Sequence, residues 1–415
     1  MKSKLVTRGA IASIALLLST ALATAEVKLS AIFMSQAAYS EADVRNMAAD
    51  FEKANPDIKV NLEFVPYEAL HDKIVAAQGA GSGGYDVALF DVIWPAEFAK
   101  KGFLKDVTDR VPAELNDQIF DGAWTTVVYE GHKYGMPWIL DTKYLFYNTE
   151  MLEKAGIKAP PKTWQELVDQ AKIIKDKGIV QYPIVSSWSQ SEAMICDYAL
   201  LTSAFGGSFL TGGKPSFQAG GSLKAVEFMK KTLDDGLTNP SSREYLEEDV
   251  RRVFSNGEAA FGLNWTYMFG TANDPTQSKI VGKVGIIPAP GVEGVSKVAA
   301  VNGSMGLGIT SNSTHPDEAW KFIMFLTSKP IQEKYAKLSL PIWKASYTEP
   351  AVTQGQETVV AAANQSLGVM FPRPQVPAYT EISNILQKSI HSALLGQEEP
   401  AQALKEGAAK VERIR

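Results

Sequence analysis

A tryptophan and a carboxylate stand inside a long extended apolar run: Trp138 and Asp141 within Tyr134–Tyr147, YGMPWILDTKYLFY. Strands seldom place a carboxylate in such a run unless it meets water, a partner or a ligand. Similar groups recur at strand ends and in loops. Gln36 follows the first strand, and Asp91 and Trp94 follow the third at its carboxyl end, where open parallel sheets bind ligands. Trp188 lies in a Ser-rich loop, and Asn264, Trp265 and Tyr267 close a later strand. Asn302 and Gly303 sit at a Gly-rich strand start, Trp343 follows a proline, and Arg373 lies between Pro372 and Pro374. Taken singly, a tryptophan is more often core and an arginine more often a surface pair. Together they suit a sugar: aromatic faces stack on the apolar C–H face of a pyranose, and Asp and Arg make charge-assisted hydrogen bonds to hydroxyls.

Other chemistries find little support. Gly79-Ala-Gly-Ser-Gly-Gly84 matches the dinucleotide pattern, but a helix precedes it and a strand follows, the reverse of the order that pyrophosphate binding needs. It reads as a loop. His71, His132, His315 and His391 are scattered with no ligand spacing, so neither a metal nor a cofactor is expected. Cys196, the single cysteine, has no activating neighbour and reads as a buried inert thiol.

These residues hang on alternating elements. Glu26–Phe33 reads as a strand, and Ser40–Ala54 as a helix capped by Ser40 with Val44, Met47, Ala48 and Phe51 on one face. Ile58–Val65 reads as a strand, Tyr67–Gln78 as a helix and Tyr85–Phe90 as a buried strand, an order that implies a largely parallel sheet. A capping box, Thr163-x-x-Glu166, starts a helix running to Lys177. Strands return at Ala259–Asn264, Gly282–Pro288 and Ala299–Thr310. Pro316 opens a helix that buries Trp320, Ile323, Met324 and Leu326, and two helical segments, Tyr379–Leu395 and Pro400–Ile414, end the chain.

The N-terminus reads as an export signal. Lys2, Lys4 and Arg8 precede an apolar stretch, Ile11–Leu22, too short to span a bilayer, and Ala23-Thr-Ala25 is a small-residue cleavage site. No cysteine follows it for a lipoprotein anchor, so a periplasmic product starting at Glu26 is expected. Removing residues 1–25 from 415 leaves 390, enough for two domains. It also removes three of the 41 Lys+Arg, leaving 38 against 46 Asp+Glu, a net charge of −8 that disfavours nucleic acid and anionic membrane as partners.

The sequence resembles the extracellular solute-binding proteins of carbohydrate ABC importers, the group that includes maltose-binding protein. The likeness runs over nearly the whole mature chain through FEKANPDIKVNLEFV, YDVALFDVIWPAEFAKKGFLKDVT, LFYNTEMLEKAGIKAPPKTWQELVDQAKIIK, FSNGEAAFGLNWTYM, VGIIPAPG, THPDEAWKFIMFLTSKPIQEKYAK and FPRPQVPAYTEISNILQKSIHSALLG. It implies an α/β, two-lobed periplasmic-binding-protein fold of type II with a hinge of two or three crossovers. Lobe one would comprise 26–139 with about 306–347, and lobe two about 145–302 with 348–415. The hinge would lie near 139–144, 303–309 and 343–350.

By the same resemblance, Asp91 is the lobe-one residue that holds sugar hydroxyls and Asp141 the carboxylate at the first crossover. Trp265 or Tyr267 is the stacking aromatic of lobe two, Arg373 the arginine of a Pro-rich turn, and Gln36 and Asn302-Gly303 are loop contacts. Asn264-Trp265-Thr266 stands where the family more often has Gly-Pro-Trp, which leaves Trp265 and Tyr267 as alternatives. The implied partners are a carbohydrate and ABC permease subunits, and the implied state is a monomer without enzymatic activity. A polyol or a sugar acid is the alternative cargo, since Arg373 could meet a charged group. An exported glycan hydrolase using Asp91 and Asp141 as its paired carboxylates is the alternative from another class.

Overall fold

Ser40 starts the first helix as its sequence predicts. Asp43 N donates to Ser40 Oγ (3.3 Å) while Ser40 N donates to Asp43 Oδ2 (2.9 Å), a reciprocal cap. The helix Glu41–Ala54 buries Val44, Met47, Ala48 and Phe51, the face its periodicity marks. The computed structural model describes residues 26–79 and 84–414; the N-terminal signal reading and most of the Gly79–Gly84 stretch lie outside them.

β1 (Val27–Met34), β2 (Ile58–Val65) and β3 (Val87–Asp91) are parallel, with β1 between the other two. The helices Glu41–Ala54 and Tyr67–Gly79 make the crossovers. The extended run around Asp141 is two strands, β4 (Met136–Ile139) and β5 (Tyr144–Asn148), which belong to different sheets. Further along come β6 (Ile184–Val185), β7 (Phe261–Asn264) and β8 (Val284–Val292). Ala299–Thr310, expected as one strand, is also divided, into β9 (Ser296–Ala299) and β10 (Met305–Ile309).

The first sheet has the order β2-β1-β3-β10-β4, with β10 antiparallel to both neighbours. The second has the order β9-β8-β5-β7-β6. In both divided runs the chain leaves one sheet and joins the other, so one continuous ladder is impossible. These passages lie side by side: Val301 N donates to Thr142 Oγ1 (2.9 Å) and Gly303 N to the Asp141 carbonyl (3.1 Å). A third passage follows the helix Pro350–Thr353, which packs against Lys329–Lys334; the next helix, Glu357–Ser366, packs on β8. Residues 354–356 join Pro350–Thr353 to Glu357–Ser366.

Two local readings need correction. Thr163 caps the helix Trp164–Asp176 by accepting from Glu166 N (3.1 Å), but the Glu166 carboxylate accepts from Lys162 N (2.7 Å), so only half the capping box forms. In Pro316–Leu326 the buried face is Ala319, Phe322, Ile323 and Leu326, while Trp320 and Met324 are half-buried. Among the described residues no helix is long and apolar enough to cross a membrane.

Candidate functional site

A cleft of 280 Å³ opens at the carboxyl ends of β1 and β3 and is closed from the other side by residues after β7 and at the start of the helix Glu192–Ala204. Gln36, Asp91, Asp141, Trp265, Tyr267, Gly303 and Arg373 all line it. Open parallel sheets put their ligand crevices at these strand ends, because the loops there have the geometric freedom to diverge.

Arg373 is the central brace. Although it is 2% exposed, its Nη2 donates to Asp91 Oδ1 (2.9 Å) and the Asn302 carbonyl (3.2 Å), and its Nη1 to Glu192 Oε1 (2.7 Å). Asp91 ends β3 of the first sheet, whereas Glu192 opens a helix packed with the second. Tyr67 OH donates to Asp91 Oδ2 (3.0 Å), and Tyr379 OH and Ser383 Oγ donate to Glu192. Burial pushes the Glu192 carboxyl above its ordinary range, against the pull of Arg373 and these donors.

A second buried cation lies on the other side. Lys143, fully buried in the first passage, donates from Nζ to Asp197 Oδ1 (2.6 Å) and Ser187 Oγ (2.9 Å), and lies 3.3 Å from Glu247 Oε1. Burial alone would lower its pKa, but Asp197 and Glu247 outweigh that and raise it. Lys143 Nζ also stands 5.2 Å from the Trp265 ring centroid, and Trp265 Nε1 donates to Glu247 (3.3 Å). Trp265 is half-buried in the cleft wall; its neighbour Tyr267 is 3% exposed and donates its hydroxyl to Glu248.

Asp141 sits at the junction of the two adjacent passages. Its carboxylate accepts from Thr266 N (3.2 Å), Thr266 Oγ1 and Thr142 N (2.9 Å). Burial pushes its pKa up to about 7, although those three donors favour the charged form. Asp141 thus ties the passages to the end of β7 as well as bordering the cleft.

The remaining sequence-picked residues lie away from the cleft lining, each for a packing reason. Trp138 is 1% exposed, its ring centroid 5.4 Å from Phe33 and 4.8 Å from Tyr39, inside the core on the first sheet. Trp188 is buried beside Leu145 and Trp164 beneath the second sheet. Trp343 donates to the Thr327 carbonyl (2.9 Å) and bridges to Ile119. Asn264 accepts from Trp265 N (2.9 Å) and donates to the Glu247 carbonyl (2.9 Å), so it shapes the Trp265 turn. Asn302 donates to Thr125 Oγ1 (2.9 Å), and its carbonyl receives Arg373. Trp94 is 3% exposed and stacks on Tyr67 at 5.7 Å, bordering a recess at the cleft mouth.

Tyr67, Lys143, Glu192 and Glu247 were not singled out from the sequence. Tyr67 follows the carboxyl end of β2, the rule that picked Asp91, and Lys143 is a second charge in the apolar run that drew attention to Asp141. Cys196 also lines the cleft, with burial pushing its thiol pKa up. Among the described residues no group of His, Cys, Asp and Glu could hold a metal ion.

Comparison with known proteins explains this architecture. The family model for bacterial extracellular solute-binding proteins matches residues 37–333. The maltose-bound MalE3 of T. maritima superposes with a TM-score of 0.87 at 32% identity, over 93% of this chain and 99% of that one. A solute-binding protein of an ABC transporter from Agrobacterium radiobacter K84, in complex with ribitol, superposes with a TM-score of 0.84 at 26% identity, over 94% and 99%. A Deinococcus radiodurans protein named "Probable ABC transporter-binding protein" is 28% identical over 354 residues, 81% of each chain. These are binding proteins, not enzymes, and the α/β fold is their two-lobed, type II periplasmic-binding-protein fold. The chain is a member of the bacterial extracellular solute-binding protein family.

Proposed function

We propose that this protein is the periplasmic receptor of an ABC importer, binding a mono- or oligosaccharide, or a derivative of one, in the interlobe cleft and delivering it to the permease by hinge closure. The observation that carries this reading is the composition of the cleft: one half-buried indole, Trp265, opposite hydrogen-bonding groups from the other sheet, Gln36 and Asp91. A ligand touching both lobes favours the closed state, because only differential contacts shift such an equilibrium. The three passages at 140–143, 300–304 and 354–356 serve as the hinge. The relatives in complex with maltose and with ribitol support a sugar or its polyol. Export with cleavage after Ala25 and a monomeric state complete the reading. A thermal-shift screen of the mature protein against sugars, polyols and sugar acids tests it, since binding stabilises the native state by mass action. Stabilisation by a sugar or polyol is expected; no stabilisation across the whole screen would overturn it.

A further inference from the structure

We infer that the cleft sorts its cargo by charge, taking a sugar or polyol that bears an amino group in preference to its neutral counterpart, and the neutral form in preference to the acid. This rests on the receptor reading above and narrows its substrate class.

The sequence leaves Arg373 open as a counter-charge for a sugar acid; the structure leaves it little capacity for that role. Of the four hydrogen-bond donors on its two terminal nitrogens, three already meet Asp91, Glu192 and a carbonyl. Its Nε is buried with no partner of its own, out of a ligand's reach. Lys143 is likewise enclosed, at 0% side-chain exposure, by Asp197 and Glu247.

Each buried cation is therefore held by two carboxylates, two acids to one cation in each cluster. Arg373, Asp91 and Glu192 of one cluster and Glu247 of the other line the cleft, so acids outnumber the cation there three to one. Glu68 adds a further carboxylate from the first lobe. A buried charge without full compensation is destabilising, and a ligand that supplies the missing positive charge relieves it. A ligand carboxylate would meet the same groups as a like charge in a partly desolvated space, where repulsion is stronger than in water. Neutral hydroxyls fall between, accepted by the carboxylates as donors.

The test is isothermal titration of the mature protein with three matched sets: glucose, ribitol and maltose, each with its amino-deoxy and its carboxylate derivative. In any set whose neutral member binds, the amino form should bind about tenfold tighter and the acid at least about tenfold weaker, with both differences shrinking at high salt. Glu247→Gln keeps Lys143 paired with Asp197 and keeps an acceptor for Trp265 Nε1; it should lower the ratio of amino to neutral affinity. An acid that binds as tightly as its neutral partner, or an amine that binds no tighter, overturns the charge preference and leaves the receptor reading standing. Failure of every member of every set to bind would overturn both.

Discussion

The indole of Trp265 occupies the space that a side chain at Gly303 would need: a Cβ on Gly303 would fall 2.2 Å from its Cζ3 and 2.3 Å from its Cη2. Gly303 is not among the positive-φ glycines, so the demand there is for room rather than for backbone freedom. The passage between the sheets thus sets where the cleft aromatic lies. Gly303→Ala should push the indole out of register and weaken ligand affinity by about tenfold or more, since well-packed interiors absorb an added methyl only by shifting a neighbour. Titration of the tightest ligand from the sugar screen, beside apo thermal denaturation, checks this. Wild-type affinity in the alanine variant would show that the position of Trp265 does not matter.

The tryptophans should separate by what they affect. Trp138→Ala leaves a hole between Phe33 and Tyr39 and should lower apo stability by about 3–5 kcal/mol. Trp265→Ala, at a half-buried wall position, should lower it much less and reduce ligand affinity strongly. Urea denaturation paired with ligand titration of both variants tests the division. Equal stability losses would erase the distinction.

That contrast shows what the chain discloses before it folds. Local signals were sufficient for Ser40 and the helix it caps, because a cap and a 3.6-residue period act within one element. The strand-end rule pointed to Gln36 and Asp91 because they stand at the carboxyl ends of parallel strands in one sheet. It could not rank the tryptophans, because core and cleft differ only in which packed face the ring meets. The ion-pair clusters were out of reach for a related reason: Arg373 and Glu192 lie 181 positions apart, and Lys143 and Asp197 lie 54 apart. The divided runs at Asp141 and Asn302 look continuous in sequence, since each half has strand composition and only the sheets' placement breaks them.

Lys143 should be indispensable to the second lobe unless its partners go with it. Lys143→Met removes the cation and strands Asp197 at 0% exposure, a loss of about 3–5 kcal/mol. Lys143→Met combined with Asp197→Leu should recover much of that loss, since apolar replacement of a whole buried pair is often neutral. Urea unfolding of the single and double variants measures the difference. A double variant no more stable than Lys143→Met would remove the ion pair as the cause.

Arg373 should hold the lobes together without any ligand. Arg373→Ala leaves Asp91 and Glu192 facing one another without their shared cation, and like charges then favour separation. Small-angle scattering of the apo variant should give a larger radius of gyration than wild type, with saturating ligand restoring part of the difference. Identical apo scattering curves would mean that closure does not depend on this brace.

Asp141 should make the protein less stable as the pH rises through neutrality. Its folded pKa, about 7, lies above its ordinary 3.8, chiefly through burial. Between those values the folded state binds more protons than the unfolded state, so the stability of the protonated form is complete below about pH 4 and drains away up to about pH 7. At 1.36 kcal/mol per pKa unit the full effect is about 4 kcal/mol. Glu97, held down to about 2, adds the opposite dependence, losing its stabilisation as the pH falls towards 2. The informative quantity is therefore the difference between wild type and Asp141→Asn. The amide oxygen in place of Oδ1 can still accept from Thr142 N and Thr266 Oγ1, at the cost of the bond that Oδ2 accepts from Thr266 N, but the group does not ionise. The variant should gain on wild type steadily from pH 4.5 to 7.5 in urea denaturation. Parallel stability curves over that window would mean that Asp141 keeps one protonation state throughout.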